Sequence, residues 1–408
     1  MKKSLLALAV LGAFAASAQA QTNVAIGGVV QANVKSYKVG GISAGNAALG
    51  RQGNNELRVD DDYNSRFWLT GSEDLGGGNS AIFYVENRLN TDQRQSTGLA
   101  TGAGLADGDT WVGLKGAWGQ VTVGKHSWLS VQGLLTEMQV GTGGLAAIPT
   151  SMLGTYSILN QAGAVTGAGA TGVVPAPSFN TSGTAYLDIT RRVNSITYRS
   201  PNFSGFSGVV GVSTASAGAE GTINNTNYYN DGREYYLQGT YFNGPFYVNL
   251  AYRNHTAEGR NGLDQKQIRL SGFYKINGFK IGLQYDRATN DLVVANASPA
   301  PVALTESSGS RTAWQIPVSY SFGNHTILAS YTKAGNYGNV TDSGAKMITL
   351  GWDYALSKRT NVGVYYSKLS NDTYAAYQPF LAGTSFTGSG LAYGENATTF
   401  ALGLKHTF

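Results

Sequence analysis

TTFALGLKHTF (398–408) closes the chain, and its side chains alternate in size and polarity up to the last residue. Successive side chains of an extended strand point to opposite faces. One face carries Phe400, Leu402, Leu404, His406 and Phe408, and the other carries Thr399, Ala401, Gly403, Lys405 and Thr407. A final aromatic residue gains little in a soluble protein, where the terminus usually frays, but it suits a strand between lipid and water. The stretch therefore predicts a strand of an outer-membrane β-barrel.

The N-terminus has the pattern of a secretory signal peptide. Lys2 and Lys3 supply positive charge, residues 5–16 are apolar, and Ala18-Gln19-Ala20 is a small-residue cleavage site. A membrane-spanning helix needs about 20 apolar residues, which is more than this run provides. We expect residues 1–20 to be removed and residues 21–408 to form one barrel domain.

Composition favours a barrel over a soluble protein. Charged residues make up 13% of the chain, whereas a soluble domain carries about a quarter. The chain has 55 glycines, 24 tyrosines and 15 phenylalanines, and it has no cysteine, so no disulfide framework forms. The formal net charge of +5 falls to +3 without Lys2 and Lys3. This excess is too small to indicate a nucleic-acid partner.

Sixteen alternating segments recur along the chain, which predicts an all-β, 16-stranded antiparallel transmembrane barrel. They are 24–37, 65–71, 81–90, 110–116, 120–126, 193–200, 208–214, 234–242, 246–255, 265–276, 279–288, 312–321, 325–333, 346–356, 361–369 and 398–408. Short turns rich in Gly, Asn, Asp and Pro alternate with long polar connections at 38–64, 91–109, 127–190, 215–233, 289–311, 334–345 and 370–397. A soluble β-sandwich, as in a secreted adhesin, would not place large aromatics along one whole parity.

Several stretches resemble the general trimeric porins of Gram-negative bacteria, most closely the β-proteobacterial kind. They are Gly28-Val29-Val30, SRFWLTGSEDLGGG (65–78), WVGLKGAWGQVTVGKHS (111–127), RRVNSITYRSPNFSGFSG (191–208) and GLKHTF (403–408). The resemblance covers the mature chain, with departures at Ile26-Gly27, Trp68 and Lys125 and in the length of 127–190. It implies a homotrimeric, water-filled channel in outer-membrane lipid and lipopolysaccharide that passes small hydrophilic solutes and ions. It also implies that the third long loop, 127–190, folds into the lumen.

Side-chain parity predicts which charged residues line the lumen. The candidates from parity are Lys35, Arg66, Glu86, Arg88, Arg191, Arg199, Arg253 and Arg269, with Lys275 and Lys405. The turn DLGGGN joins the strands of Arg66 and Arg88, so these two side chains could be neighbours. The resemblance adds Lys125 to the set, and Glu137 is the only charge between His126 and Asp188.

The excess of basic residues predicts a mild anion preference, because rings of Lys and Arg select anions. For any single residue, the alternative is a solvated lumen side chain or the partner of a neighbouring carboxylate. A porin specialised for one anion or carboxylate stays open at this stage.

Other functions have weaker support in the sequence. Glu56, Asp60, Asp61 and Asp62 form an acidic cluster in the first long loop, which could hold a structural Ca²⁺ but more simply indicates a solvated loop tip. The four histidines lack metal-ligand spacing, and only His255 is a candidate for a barrel-borne hydrolase. We therefore expect an outer-membrane diffusion channel that is not an enzyme and has no cofactor.

Overall fold

The computed structural model describes residues 23–41, 55–60, 65–89, 91, 106, 108–128, 152–153, 192–215, 232–257, 265–290, 310–336, 338, 341–373, 375, 377, 391 and 394–408. Seventeen strands lie within these residues. They are β1 (Asn23–Gly40), β2 (Asn55–Asp60), β3 (Arg66–Gly76), β4 (Asn79–Arg88), β5 (Thr110–Gly116), β6 (Gly119–Ser127), β7 (Arg192–Arg199), β8 (Phe206–Ala215), β9 (Gly232–Asn243), β10 (Phe246–Ala257), β11 (Gln265–Ile276), β12 (Phe279–Asn290), β13 (Ser310–Phe322), β14 (His325–Ala334), β15 (Ala345–Ala355), β16 (Thr360–Asn371) and β17 (Asn396–Thr407). No helix in this part of the chain is long and apolar enough to cross a membrane.

The strands form a closed antiparallel barrel with sixteen positions in its wall. From β3 to β17, each strand pairs with the next one along the chain. The first strand, β1, closes the ring, because one of its edges pairs with β17 and the other pairs with both β2 and β3. β2 and β3 lie end to end along β1 and occupy one position. The predicted 16-stranded barrel is confirmed.

One strand was missed in the sequence. β2 lies within 38–64, which parity assigned to a single long connection. Its two apolar residues, Leu57 and Val59, are exposed on the outer face, whereas Glu56 and Arg58 point the other way and are half-buried. Two apolar positions beside an acidic run are too weak a pattern to predict a strand. Pairing with β1 stabilises it instead.

The two faces of the wall differ as the alternation predicts. On β15, Ile348 and Leu350 are exposed on the outside, whereas Thr349 and Asp353 are buried on the inside. The same pattern holds on β17, where Leu402 is exposed and Ala401 is buried. An apolar outer face and a polar inner face are the arrangement that a barrel needs between lipid and a water-filled lumen.

Short turns and outward aromatic pairs mark one rim of the barrel. Asn277 and Gly278 both have positive φ, at 47° and 83°, as a two-residue type I′ hairpin turn requires. Near this rim, Phe279 lies 4.4 Å from Tyr320, and Phe246 lies 4.7 Å from Tyr274, measured between ring centroids. Aromatic side chains on the outer face near the rim match the aromatic girdle expected at a membrane interface.

The first and last strands, β1 and β17, meet in the wall. The backbones of Gly28 and Phe408 exchange two hydrogen bonds, each of 3.1 Å. The Phe408 ring lies across Gly28, where a Cβ atom would come within 2.2 Å of the ring. Glycine is therefore the residue that lets the final aromatic side chain cover the β1–β17 seam.

Candidate pore constriction

Arg66 and Arg88 lie directly opposite each other on β3 and β4. Glu86 is the carboxylate between them, with Oε1 at 2.8 Å from Nε of Arg88 and 4.0 Å from an Arg66 terminal nitrogen. The Tyr84 hydroxyl donates a 3.0 Å hydrogen bond to the other oxygen of Glu86. We call these four residues the Arg66 cluster. It has two guanidinium groups for one carboxylate, and about a quarter of each arginine side chain stays exposed to the lumen.

A second group of charges, the Asp286 cluster, lies on the inner face of β9–β13. It consists of Glu234, Arg253, Arg269, Asp286 and Arg311. Arg253 donates two hydrogen bonds of 2.8 and 2.7 Å to Glu234. Asp286 accepts from Arg269 at 2.9 Å and from Arg311 at 3.2 Å. All five side chains are buried, so each charge needs its partner, because an isolated buried charge is strongly unfavourable.

The two clusters therefore differ in what they offer a passing ion. Guanidinium groups in the Asp286 cluster have carboxylate partners and little exposed surface, which supports a role in holding the wall together. The Arg66 cluster has more positive than negative charge and remains accessible. For Arg253 and Arg269, the structure thus favours the alternative that each arginine pairs with a neighbouring carboxylate and does not set the ion selectivity.

Lys35 is fully buried on the inner face of β1, opposite Arg58 of β2. Arg58 forms a 2.5 Å ion pair with Glu56, and its guanidinium group lies 5.1 Å from the centre of the Tyr37 ring. Glu56 is therefore a strand residue with an arginine partner, and its assignment to a loop tip was wrong. Asp60 ends the same strand, while Asp61 and Asp62 lie outside the described residues. Within the described ranges, no three His, Asp or Glu side chains come together as a metal site.

The remaining predicted lumen residues divide into three groups. Arg199 has the inward parity of the buried Thr197 and lies exposed at the end of β7. Lys125, in contrast, shares the parity of the outward Val123, and its ammonium group donates a 2.6 Å hydrogen bond to the Ala106 carbonyl. Parity therefore does not support Lys125 as a lumen residue, and His126 has the inward position. Glu137 and Arg191 lie outside the described residues.

The first residue after β6, Trp128, lies against the inside of the wall. This residue, at the start of the third long loop, is 3% exposed and stacks on Tyr236 of β9 with 5.5 Å between ring centroids. The indole nitrogen donates a 3.2 Å hydrogen bond to the Thr197 hydroxyl of β7. Gly211 of β8 makes room for the indole, since a Cβ atom there would lie 2.5 Å from it. Trp128 is thus held by three consecutive strands.

A second part of the same loop touches the inner wall farther round the barrel. The Met152 carbonyl accepts a 2.5 Å hydrogen bond from Arg311 of the Asp286 cluster. Met152 and Leu153 are fully buried in an apolar cluster with Tyr37, Val39, Ala313, Ala334, Ala345, Met347, Leu369, Ala375, Tyr377, Leu391 and Ala397. Burial raises the pKa of the Tyr377 hydroxyl in this cluster to about 12, so it stays neutral near pH 7. The strand residues of the cluster face inward. Residues 129–151 and 154–190 lie outside the described part of the chain.

The profile of the Gram-negative porin family matches residues 7–374 of the chain. The chain belongs to this family. Outer membrane porin protein 32 of Delftia acidovorans is 28% identical over 424 residues, with all of both chains covered. These comparisons confirm the resemblance in the sequence, an outer-membrane location and the identity of this protein as a porin.

Solved porin structures share the fold. An anion-selective porin from Comamonas acidovorans has a TM-score of 0.65 and 22% identity, with 95% of this chain and 100% of that chain covered. The trimer form of OmpT from Vibrio cholerae has a TM-score of 0.55 and 12% identity, with 95% and 99% covered. Both support the same barrel architecture for this porin.

Sequence reasoning missed four residues that organise the inside of this porin. Glu234 and Asp286 lie on strands whose parity was readable, since each follows the inward side of an alternating segment. As acidic residues, they do not contribute to the excess of basic charge that predicts the anion preference. Arg311 precedes the predicted start of its strand by one residue, and Trp128 follows the end of its own. Residues just beyond a strand carry no periodic signal.

Proposed function

We propose that this porin is a passive diffusion channel with a preference for small anions. The observation that carries the proposal is the direct opposition of Arg66 and Arg88, two partly exposed guanidinium groups that lie on either side of the Glu86 carboxylate. A surplus of exposed guanidinium charge raises the local concentration of anions, and a low-dielectric wall strengthens this effect. The mechanism needs no conformational step, because solutes diffuse through water past fixed charges.

The third loop sets the width of the passage in this proposal. Trp128 and Met152 attach it to different parts of the inner wall. A loop attached at two points can hold chain across the lumen, and a barrel of sixteen strands is wide enough to contain it. We infer no catalytic role and no resident cofactor, and the relatives of this chain are channels.

Replacing Arg66 or Arg88 with Gln should lower the anion preference. One unit charge at 4 Å in water is worth about 1 kcal/mol, so each substitution should reduce the chloride-to-potassium permeability ratio by up to about fivefold. Reversal potentials across planar bilayers in a KCl gradient measure this ratio. Arg359→Gln is the matched control, since Arg359 lies exposed in the short turn between β15 and β16.

Glu86→Gln should act in the opposite direction, because it removes the carboxylate and leaves both guanidinium groups. The chloride preference should rise by a similar factor. Opposite signs for the arginine and glutamate variants would identify the cluster as the filter. Unchanged reversal potentials in all three variants, with normal folding, would remove the Arg66 cluster from the selectivity mechanism.

Processing and assembly complete the proposal. We infer that residues 1–20 are cleaved on export, leaving Gln21 as the mature N-terminus, and that the barrel forms a homotrimer in outer-membrane lipid and lipopolysaccharide. Intact-mass measurement of the exported protein locates the cleavage site. Native mass spectrometry in detergent determines the number of subunits, and a lone barrel would overturn the trimer.

A further inference from the structure

Three aromatic side chains form a row on the inner face of the barrel near the short-turn rim. Phe242, Tyr247 and Phe273 come from β9, β10 and β11, and each lies directly opposite the next in the strand register. Their parity is that of the inward residues Tyr236, Asn249 and Ser271. We call these three residues the aromatic row. It faces water-filled space rather than lipid.

The rings of the aromatic row contact one another. Tyr247 stacks on Phe273 with 4.9 Å between ring centroids and 14° between planes. Phe242 meets Tyr247 and Phe273 edge-on at 6.1 and 6.5 Å. Phe273 is 8% exposed and forms the floor, whereas Phe242 is 49% exposed and presents an open ring surface to the lumen.

Two lysines accompany the row. Lys275 and Lys280 lie directly opposite each other on β11 and β12, one step closer to the rim. The Lys275 ammonium group lies 5.7 Å from the Phe242 ring centre and 5.4 Å from that of Phe273, and the Lys280 ammonium group lies 4.8 Å from Phe273. Like charges directly opposite each other are unfavourable in a sheet. An anion bound beside both ammonium groups would add a favourable charge-assisted contact to each of them.

The next layer of the inner wall is polar. Asn249, Ser271 and Gln284 are buried there, and Asn249 donates a 2.8 Å hydrogen bond to Thr240. Gly282 of β12 lies opposite Phe273 and adds no side chain to the row. Apolar rings on the water side of such a wall leave surface that a ligand can cover. The two ammonium groups and the exposed surface of the aromatic row therefore lie in one patch of the inner wall.

We propose that the aromatic row and its two lysines form a binding site for planar aromatic carboxylates. The ligand ring lies against Phe242 and Tyr247, and its carboxylate accepts hydrogen bonds from Lys275 and Lys280. Charge-assisted hydrogen bonds to a carboxylate are stronger than an exposed cation–π contact, so the ammonium groups turn from the rings to the ligand. The site gives the channel a preferred solute class and rests on the proposed anion pathway.

Benzoate is the probe, and cyclohexanecarboxylate is the matched ligand with the same charge and ring size but no π-system. Benzoate added at the short-turn side of wild-type channels in planar bilayers should interrupt the single-channel current at lower concentration than cyclohexanecarboxylate. Phe242→Leu should weaken the benzoate effect by about two- to tenfold and leave that of cyclohexanecarboxylate nearly unchanged. Lys275→Gln with Lys280→Gln should weaken both.

Phe246→Leu is the control variant, because Phe246 is the neighbouring aromatic on the lipid face. Heat-modifiable electrophoretic mobility verifies that every variant is folded. Equal block by the two acids in wild type, or equal benzoate block in wild type and Phe242→Leu, would overturn the site. The chloride-to-potassium ratio, recorded on the same channels, tests the proposed anion preference separately. If the wild-type channel shows no chloride preference but is blocked more strongly by benzoate than by cyclohexanecarboxylate, the proposed anion preference is wrong and the proposed binding site is retained.

Discussion

Leu237→Arg should strongly destabilise the inserted barrel. Leu237 lies in the middle of β9, is 56% exposed, and pairs with the outward residues Tyr252 and Val210. An arginine on the lipid face near the bilayer midplane costs about 2–4 kcal/mol, which corresponds to about a 30- to 700-fold loss in the folding equilibrium. Urea titration of vesicle-inserted protein, read by heat-modifiable mobility, measures the change.

Gln238→Arg is the matched control on the next residue of the strand. Gln238 faces inward and is partly exposed. Its side chain accepts a hydrogen bond from the Tyr236 hydroxyl and donates one to the Thr240 hydroxyl. An arginine there reaches lumen water, so the variant should fold like wild type and shift the reversal potential toward anions. Equal folding of the two arginine variants would contradict the assignment of lipid to one parity and water to the other.

Trp128→Ala should detach the start of the third loop from the wall. The indole loses its stack on Tyr236 and its hydrogen bond to Thr197, and truncating a buried tryptophan costs about 3–5 kcal/mol. The barrel strands should stay folded, because Trp128 lies on the inner face of the wall and takes no part in the pairing between strands. We expect a larger and noisier single-channel conductance and a higher size limit for sugars in liposome-swelling assays.

Gly211→Val should also displace Trp128 from the wall, because the valine side chain would occupy the space that the indole fills. Gly239→Val is the control, since nothing lies within 4 Å of a Cβ atom at that position. Both Trp128→Ala and Gly211→Val should show the wide phenotype, and Gly239→Val should not. Wild-type conductance in the first two variants would mean that the loop keeps its place without this anchor.

The strands and the orientation of the wall could be read from sequence because a barrel repeats one local rule. Each side chain meets lipid or water according to parity, so Leu350 or Leu402 is assigned without knowledge of its neighbours. The opposition of Arg66 and Arg88 followed from a short turn that joins their strands. At Lys125 the two kinds of sequence evidence disagree, because the family resemblance places it in the lumen and its local parity points outward.

The contacts that organise the interior could not be read in this way. Arg311 and Met152 are 159 residues apart, and nothing in either local pattern indicates that they meet. β2 is stabilised by its register with β1 rather than by its own sequence. The contacts within the aromatic row were likewise hidden, since parity places each ring on the inner face but only the register shows that the three rings are neighbours.

The seam between Gly28 and Phe408 makes closure of the barrel depend on pairing between the first and last strands in the wall. Until β17 arrives, β1 and β16 each present a bare row of backbone donors and acceptors, which is a template for pairing with other chains. A chain that lacks β17 therefore keeps two unpaired edges, and aggregation through these edges is the expected consequence of losing this one strand.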